Sequence, residues 1–300
     1  MDWVERIAGI RQWSRSGYRA PHKPLLLLYA LGHYQRHGPA PIVYSAAEEQ
    51  LGRLLKEFGP PRPTTPAYPF HHLTADGVWT VRSADGAGSP GPRVGRLRAT
   101  DARGRLAPDL ADALADDPRL LGRIARSLLD ANFAPSLHTD ICVLAGLALD
   151  AADAVGEDEA AGRRDPRFRE QLLMAYEYRC AFCGFDGWLD GSAVALEAAH
   201  VRWRAYGGPD DPANGLCLCS LHHKLFDKGV LGLAADRTVT VSQRFVGRGG
   251  SARDVVLALS GRPSARPQPG FSAVDAGHVD WHTREVFRSP ARAMPAADPV

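Results

Sequence analysis

The sequence lacks any apolar run of the roughly 20 residues that a membrane-spanning helix requires. It also lacks the basic and then apolar start of a secretory signal, which predicts a cytoplasmic protein. Charge of one sign is not in large excess, because the formal net charge is only +2. Overall basicity therefore gives no argument for a nucleic-acid partner, although residues 1–100 hold 13 Lys and Arg against 7 Asp and Glu.

Cysteine is scarce, with five in 300 residues, which in a cytoplasmic chain argues against a disulfide framework and for thiolates or metal. Four of the five fall between positions 180 and 219, whereas Cys142 stands alone in an apolar stretch and is predicted to be a small core residue. The composition, 45% hydrophobic and 23% charged, is typical of a globular protein, and the length allows two domains.

The stretch 151–164 is rich in Ala, Gly and acidic residues and has no apolar period, so it predicts a linker between a domain at 1–150 and one at 165–300. The first is predicted to be mainly helical, the second to mix helix and strand, which gives an α+β protein. The predicted helices are 3–14, 24–36, 46–58, 106–129 with a break near 117–118, and one from Asp165-Pro166. The predicted strands are 77–83, 193–200, 230–233 and 238–241. The segment 59–69 is predicted to be extended or turning.

A metal-ligand pattern occupies the second domain. Cys180 and Cys183 form a CxxC knuckle, and Cys219 with His222 forms a CxxH at the start of a helix. Together they predict a closed tetrahedral site for structural Zn²⁺. A CxxC pair alone also fits a thiol redox centre, and Cys217 is an alternative ligand, although a buried thiol is the simpler interpretation.

Histidines next to this pattern suggest a second site. His222 and His223 point about 100° apart on a helix, so one can face the zinc and the other something else. His223 and Asp227 share a helix face and suit a divalent ion, although Asp227 could equally cap the helix end. His200, Asn214 and His223 follow at intervals of fourteen and nine residues.

The segment 164–233 resembles the HNH, or ββα-metal, nucleases, through the helix FREQLLMAYEYRC, the knuckle CAFCG, the strand LEAAHV, the turn YGGPDDPANGLCLC and the helix LHHKLFDKG. The resemblance implies one catalytic cation, Mg²⁺ or Mn²⁺, held by His223 and Asp227. It implies that His200 is the general base and that Asn214 holds the loop. Many members carry Asp or His before the base where this chain has Ala199, so Glu197 could complete the shell.

Basic residues flank this segment, and each could be an ordinary surface cation as well as a phosphate contact. The predicted phosphate contacts are Arg202, Arg204 and Lys224.

Two motifs mark the first domain: YRAPHKPLLLL at 18–28 and YPFHHL at 68–73. Taken by themselves they predict helix entry and core packing. Together, ahead of an HNH segment, they resemble the sulfur-binding domain of phosphorothioation-dependent restriction endonucleases. That resemblance implies a pocket for a backbone sulfur, which is larger and a weaker hydrogen-bond acceptor than oxygen, so a dry aromatic pocket favours it. The predicted sulfur- and DNA-binding residues are Arg19, His22, Lys23, Tyr68, Pro69 and His72.

The sequence thus predicts a type IV-like, modification-dependent endonuclease that acts on phosphorothioated double-stranded DNA. Because both strands need a nuclease centre, a homodimer or paired binding is expected. Three alternatives remain open at this point: an HNH enzyme for methylated cytosine, with a flipped base in the aromatic pocket, a zinc-stabilised DNA-binding module without catalysis, and a thiol redox protein.

Overall fold

The computed structural model describes residues 2–15, 18–149 and 166–293. They fall into two compact units, Met1–Gly162 and Arg163–Val300. The predicted linker at 151–164 lies outside the described residues. Within the described ranges, no helix combines the length and the apolar character that crossing a membrane requires.

The first unit is built mainly from helices around a small sheet. Its helices are α1 Trp3–Ala8, α2 His22–His37, α3 Tyr44–Phe58, α4 Ala67–His72, α5 Val94–Ala99, α6 Pro108–Asp116, α7 Leu120–Asn132 and α8 His138–Ala145. Its strands are β1 Ser14–Arg15, β2 Tyr18–Arg19, β3 Ile42–Val43, β4 Trp79–Ser83, β5 Gly86–Ala87 and β6 Arg103–Leu106.

Helix α2 lies at the centre of this unit and packs against α3, α4, α7 and α8. Its leucines at 25–28 and 31 are buried, which confirms the predicted core segment. Strands β3 to β6 form an antiparallel sheet in the order β3-β6-β4-β5. Gly104 in β6 is required there, because a Cβ atom would lie 2.0 Å from the ring of Trp79. The packing of α2 against these helices places its first turn, at His22, in the same unit as α4.

Several predicted elements have different bounds. The first helix ends at Ala8, because Gly9 caps it, so the predicted extension to position 14 is wrong. Residues 67–69 are helical where an extended or turning segment was predicted. Pro69 is tolerated because N–H groups in a first helical turn have no partner within the helix. Leu106 ends a strand, and the next helix begins at Pro108. Cys142 is only half-buried, so it is not a core residue as predicted.

The second unit carries a two-stranded antiparallel hairpin between helices. Its elements are α9 Pro166–Ala175, β7 Trp188–Leu189, β8 Ser192–Ala193, β9 Leu196–His200, β10 Gly215–Cys219, α10 Ser220–Asp227, β11 Leu231–Leu233, β12 Val239–Val241, α11 Gly250–Val255 and α12 Ala276–Glu285. Strands β9 and β10 pair with His200 opposite Gly215 and Leu196 opposite Cys219.

Helix α9 covers one face of this hairpin, where Phe168 and Leu172 approach Gly215 closely enough that a side chain would not fit. Helix α10 follows β10 directly and packs against both strands. The predicted α+β class, with a mainly helical first part and a ββα arrangement in the second, is confirmed.

Candidate functional site

The four predicted zinc ligands come together in the second unit. One ligand atom from each of Cys180, Cys183, Cys219 and His222 lies within 4.8 Å of all the others. The Nδ1 atom of His222 lies 3.5 Å from Cys180 Sγ and 3.3 Å from Cys219 Sγ. Metal–sulfur bonds of about 2.3 Å and metal–nitrogen bonds of about 2.0 Å in a tetrahedron give edges of about 3.5 Å. The donor set therefore fits one tetrahedral metal ion.

Two further contacts prepare this cluster for a metal. His222 is fully buried, and its Nε2 atom lies 2.9 Å from the carbonyl oxygen of Val255, which directs Nδ1 at the sulfurs. Hydrogen bonds with Cys183 and Cys219 lower the pKa of Cys180 far below that of an ordinary thiol. This lowered pKa favours the thiolate, which is the form of cysteine that binds metal. Cys217 is buried in the adjacent strand and is not part of this cluster.

His200 ends strand β9 on the face covered by α9. Its ring stacks on Phe168, with ring centroids 4.4 Å apart and planes 25° apart. Its Nε2 atom lies 2.7 Å from Oδ1 of Asp210, and the side chain of each is 16% exposed. A carboxylate beside one ring nitrogen orients the imidazole and favours the tautomer that carries its proton on that nitrogen.

Asn214 closes the loop that follows His200. It is fully buried, its Oδ1 accepts a hydrogen bond from the Arg202 N–H at 2.8 Å, and its Nδ2 donates to the carbonyls of Arg202 and Pro209. Gly208 lies against this clamp, where a Cβ atom would be 1.8 Å from the Arg202 oxygen. The Asn214 side chain thus holds the loop in place by hydrogen bonds to the backbone of Arg202 and Pro209.

His223 lies between two carboxylates. Its Nδ1 atom is 2.6 Å from Oε2 of Glu197, and its Nε2 atom is 3.2 Å from Oδ2 of Asp227. Asp227 also accepts a hydrogen bond from Trp203 Nε1 at 3.0 Å. The Asp227 carboxylate thus contacts two neighbouring side chains, one through each oxygen.

The charges of His223 and of the two carboxylates beside it shift one another's pKa values. Burial lowers the pKa of His223, but the carboxylates of Asp227 and Glu197 outweigh burial and raise it to about 10. The hydrogen bond with His223 lowers the pKa of Glu197 to about 2. An imidazolium is thus held where anionic oxygens converge, which is the electrostatic setting that a divalent cation also favours.

The two histidines occupy different surroundings. Alternation along β9 directs the side chains of Glu197 and His200 to opposite faces of the hairpin, and the contacts agree, with Phe168 on one side and His223 on the other. The loop joins them, because Trp203 lies three residues after His200 and reaches Asp227 beside His223. That both rings serve one phosphate remains a prediction.

The predicted phosphate contacts lie around this loop and on α10. Arg202 Nε donates to the Tyr206 carbonyl at 2.9 Å, and Arg204 Nε lies 3.5 Å from Asp210. Arg204 is exposed, whereas Arg202 and Lys224 are half-buried. Arg204 thus contacts the carboxylate that holds His200 and still reaches the surface.

In the first unit, the two predicted motifs meet where α4 packs on the start of α2. The ring of Tyr68 lies 4.2 Å from that of His72, and Tyr68 is 43% exposed. Lys23 forms a largely buried ion pair with Asp76, with Nζ 2.5 Å from Oδ2. Pro69, the next residue of α4, is buried.

Two predicted sulfur-site residues have other roles in the packing. Burial lowers the pKa of His22 to about 4, so its ring is neutral. Arg19 donates a hydrogen bond to the carbonyl of Ala131, at the end of α7. Burial, followed by the charges of His71 and Lys23, also lowers the pKa of His72. The cluster therefore combines histidine rings, whose pKa values burial lowers, with one lysine that is paired with a carboxylate.

Sequence reasoning missed three partners of the predicted residues. Asp76, Asp210 and Phe168 hold Lys23 and His200, but they lie 53, 10 and 32 positions away in the chain. No periodic pattern links residues at such separations. The Asp-Pro and Gly-rich loop around Asp210 was the one usable signal, since a loop that returns to a strand end brings its polar residues to that end.

His282 provides a test of the packing around α10. Its ring lies flat on Phe226, with centroids 3.7 Å apart, and burial lowers its pKa to about 4. The unfolded chain takes up this proton near pH 6.5, so stability is full above pH 6.5 and is lost as the pH falls towards 4. The loss is roughly 3 kcal/mol in total.

His282→Phe is accordingly expected to give a flatter dependence of Tm on pH between 6.5 and 4.5 than the parent protein. His278→Phe, on the same helix, is the matched control and keeps the parental slope. Thermal unfolding followed by circular dichroism measures both, and equal slopes in all three proteins contradict the assignment.

Comparisons with known proteins bear on both units. A family model described as the ScoMcrA-like DNA sulfur-binding domain matches residues 1–150. A second model, described as HNH endonuclease, matches residues 180–234. Among curated proteins, none matches this chain.

Solved structures similar to the chain cover about half of it. The sulfur binding domain of ScoMcrA complexed with phosphorothioated DNA is 24% identical, over 49% of this chain and 99% of that one, with a TM-score of 0.41. The corresponding SprMcrA complex is 24% identical over 49% and 93%, with a TM-score of 0.41. The type IV phosphorothioation-dependent restriction endonuclease ScoMcrA is 22% identical over 49% and 28%, with a TM-score of 0.39. The chain thus spans only 28% of that enzyme's length.

Proposed function

The chain belongs to the family of proteins with a ScoMcrA-like DNA sulfur-binding domain, and on that premise we propose that it is a type IV-like, modification-dependent restriction endonuclease. Its HNH domain makes it a DNA endonuclease. In this proposal residues 1–150 recognise phosphorothioated double-stranded DNA, 151–164 link the domains, and 165–300 hydrolyse the phosphodiester bond. The observation that carries the proposal is the occurrence of both family matches on one chain.

The sulfur pocket is proposed where α4 meets the start of α2. The exposed ring of Tyr68 and the buried Pro69 provide an apolar wall, and neutral His22 and His72 add little charge. A non-bridging oxygen would lose its hydrating water there, whereas sulfur loses less, so the pocket favours sulfur. Lys23 and Arg19 then lie at the sides of the phosphorothioate, with Lys23 oriented by Asp76.

The nuclease step is assigned to the residues around the hairpin. Asp210 orients the ring of His200 through Nε2, and His200 takes the proton of the attacking water as general base. Asn214 fixes the loop that carries Asp210. A bound Mg²⁺ or Mn²⁺ supplies charge that stabilises the phosphorane and the leaving oxygen. His223 would hold that ion together with a carboxylate beside it, and Arg202, Arg204 and Lys224 would contact neighbouring phosphates.

We assign the tetrahedral cluster to structural Zn²⁺, because two thiolates from a knuckle with Cys and His from a helix make a closed set. The ion holds α10 against the segment before the hairpin, which positions His223. Because each chain has one HNH domain and DNA has two strands, we propose that two copies act together as a homodimer. The reaction is placed in the cytoplasm.

A comparison of matched duplexes tests the sulfur proposal. We expect the full chain, assayed without Mg²⁺ or Mn²⁺, to bind a duplex carrying one phosphorothioate at least about tenfold more tightly than the same duplex with plain phosphates. This corresponds to about 1.4 kcal/mol. The two stereoisomers at that phosphorus are the internal control, since a pocket accepts sulfur in one orientation. Cleavage with Mn²⁺ should follow the same order.

If the plain duplex and both stereoisomers of the sulfur-containing duplex are bound and cut equally, the sulfur proposal is wrong. Preference for a duplex with methylated cytosine over all of these supports the alternative in which the exposed Tyr68 ring stacks on a flipped base. Tyr68→Ala should reduce the sulfur preference, and Tyr34→Phe, near the other end of α2, should leave it unchanged.

A further inference from the structure

His223 presents a choice that the proposed nuclease function leaves open, and the inference drawn from it rests on that function. Both ring nitrogens contact a carboxylate, Nδ1 that of Glu197 and Nε2 that of Asp227. A histidine binds a metal ion through one nitrogen while the other donates its N–H to an orienting group. Only one of the two carboxylates can therefore share the cation with this ring.

Asp227 has the properties of the orienting group. Its side chain is 1% exposed, and its two oxygens contact Trp203 Nε1 and His223 Nε2. Trp203 is itself only 9% exposed. A catalytic cation must keep open positions for water and for the phosphate oxygen, so it cannot lie in a place closed to solvent.

Glu197 has the properties of the ligand. Its side chain is 44% exposed, and it extends from β9 to within 2.6 Å of His223 Nδ1. Ser220 donates a hydrogen bond to its other oxygen. Ligand atoms of one Mg²⁺ at about 2.1 Å are about 3 Å apart in octahedral geometry, so a small movement of an exposed side chain admits the ion.

The neighbouring position on this face supplies no ligand. Ala199 lies two residues after Glu197, so alternation along β9 directs both side chains to the same face. Ala199 is fully buried, and its methyl group offers no ligand atom. Glu197, whose side chain is 44% exposed, is thus the group on this face that water and phosphate can approach.

We propose that Glu197 and Nδ1 of His223 bind the catalytic cation, and that Asp227 orients His223 through Nε2 without touching the ion. Asp227, a predicted ligand, becomes a positioning residue. The assignment also gives Trp203 a role, because its hydrogen bond fixes Asp227 and thereby the tautomer of His223.

Substitution by the isosteric amide separates the two roles. An amide oxygen still accepts an imidazole N–H but lacks the charge that holds a cation. Glu197→Gln should therefore weaken Mn²⁺ binding by about 100-fold, and Asp227→Asn by about 10-fold or less. The measurement is the loss of the free-Mn²⁺ spin-resonance signal on titration into the zinc-loaded full chain. Glu170→Gln, an exposed glutamate on α9, is the matched control.

Unchanged Mn²⁺ affinity in Glu197→Gln overturns the assignment, and so does a larger loss in Asp227→Asn than in Glu197→Gln. Because Glu197 is half-exposed, its variant should fold, and retained zinc verifies this. If Asp227→Asn loses zinc, Glu197→Asp replaces it as the second variant. It should bind Mn²⁺ more tightly than Glu197→Gln, and weaker or equal binding overturns the proposal.

The test of the proposed nuclease function, DNA cleavage, is independent of the Mn²⁺-binding test of the ligand assignment. Wild-type protein that binds Mn²⁺ through Glu197 but cuts no DNA contradicts the proposed function and leaves the ligand assignment standing. If wild-type protein cuts DNA with Mn²⁺ while Glu197→Gln retains full Mn²⁺ affinity, the ligand assignment is wrong and the proposed function stands.

Discussion

Replacing His200 with alanine is expected to lower the rate of DNA cleavage by about 10²–10⁴-fold, because the attacking water loses its general base. Binding of phosphorothioated DNA and the zinc content should stay as in the parent protein, since His200 is neither one of the four ligands of the zinc cluster nor one of the predicted sulfur-binding residues. Single-turnover cleavage with Mn²⁺, next to equilibrium binding, separates the two effects.

Two further variants make this result specific. Asp210→Asn should slow cleavage less than His200→Ala, since the ring remains but its tautomer is less firmly held. His278→Ala, a histidine on α12, should cut at the parental rate. Addition of imidazole should restore part of the activity of His200→Ala. Unchanged cleavage by His200→Ala removes this residue from the mechanism, and absence of cleavage by the parent favours a DNA-binding module without catalysis.

Replacing Cys219 with serine is expected to remove the bound zinc and to destabilise the second unit by about 3 kcal/mol or more, because metal binding and folding are coupled at such sites. For a unit of this size the loss corresponds to a fall in Tm of about 10 °C. Zinc per chain by elemental analysis and Tm by calorimetry are the two measurements.

Cys217→Ser is the matched control for this experiment. Cys217 lies two residues earlier in the same strand and is buried outside the metal cluster. It should keep one zinc per chain even where the buried hydroxyl costs some stability. Loss of zinc in Cys217→Ser and retention in Cys219→Ser would reverse the ligand assignment. A parent protein without zinc, inactivated by alkylation of Cys180 and Cys183, would support the redox alternative.

Local patterns predicted most of what lies close together in the sequence. The leucine run at 25–31, the knuckle at Cys180 and the helix that carries His222 were readable because each depends on neighbours a few residues away. Proline gave the least reliable signal. The segment at 59–69 is Pro-rich, yet Pro69 lies in the first turn of a helix, where its missing N–H has no cost.

The pairing of charges could not be predicted in the same way. Lys23 reads as a phosphate ligand in the sequence, and only the fold brings Asp76 to it. Likewise, His223 and Asp227 have ligand spacing, but burial beneath Trp203 determines which oxygen can meet an ion. These outcomes depend on tertiary packing, which places residues from distant parts of the chain side by side.

The ion pair between Lys23 and Asp76 has a consequence for the search along a genome. A DNA-binding surface whose lysines form no ion pairs is attracted to every phosphate, and its affinity for DNA falls steeply as the salt concentration rises. Here the lysine beside the proposed pocket is already neutralised, so ordinary DNA gains little from it and remains a weak competitor. Rare sulfur-bearing linkages can then be found among a great excess of normal ones, because selectivity depends on how little the unmodified backbone is held.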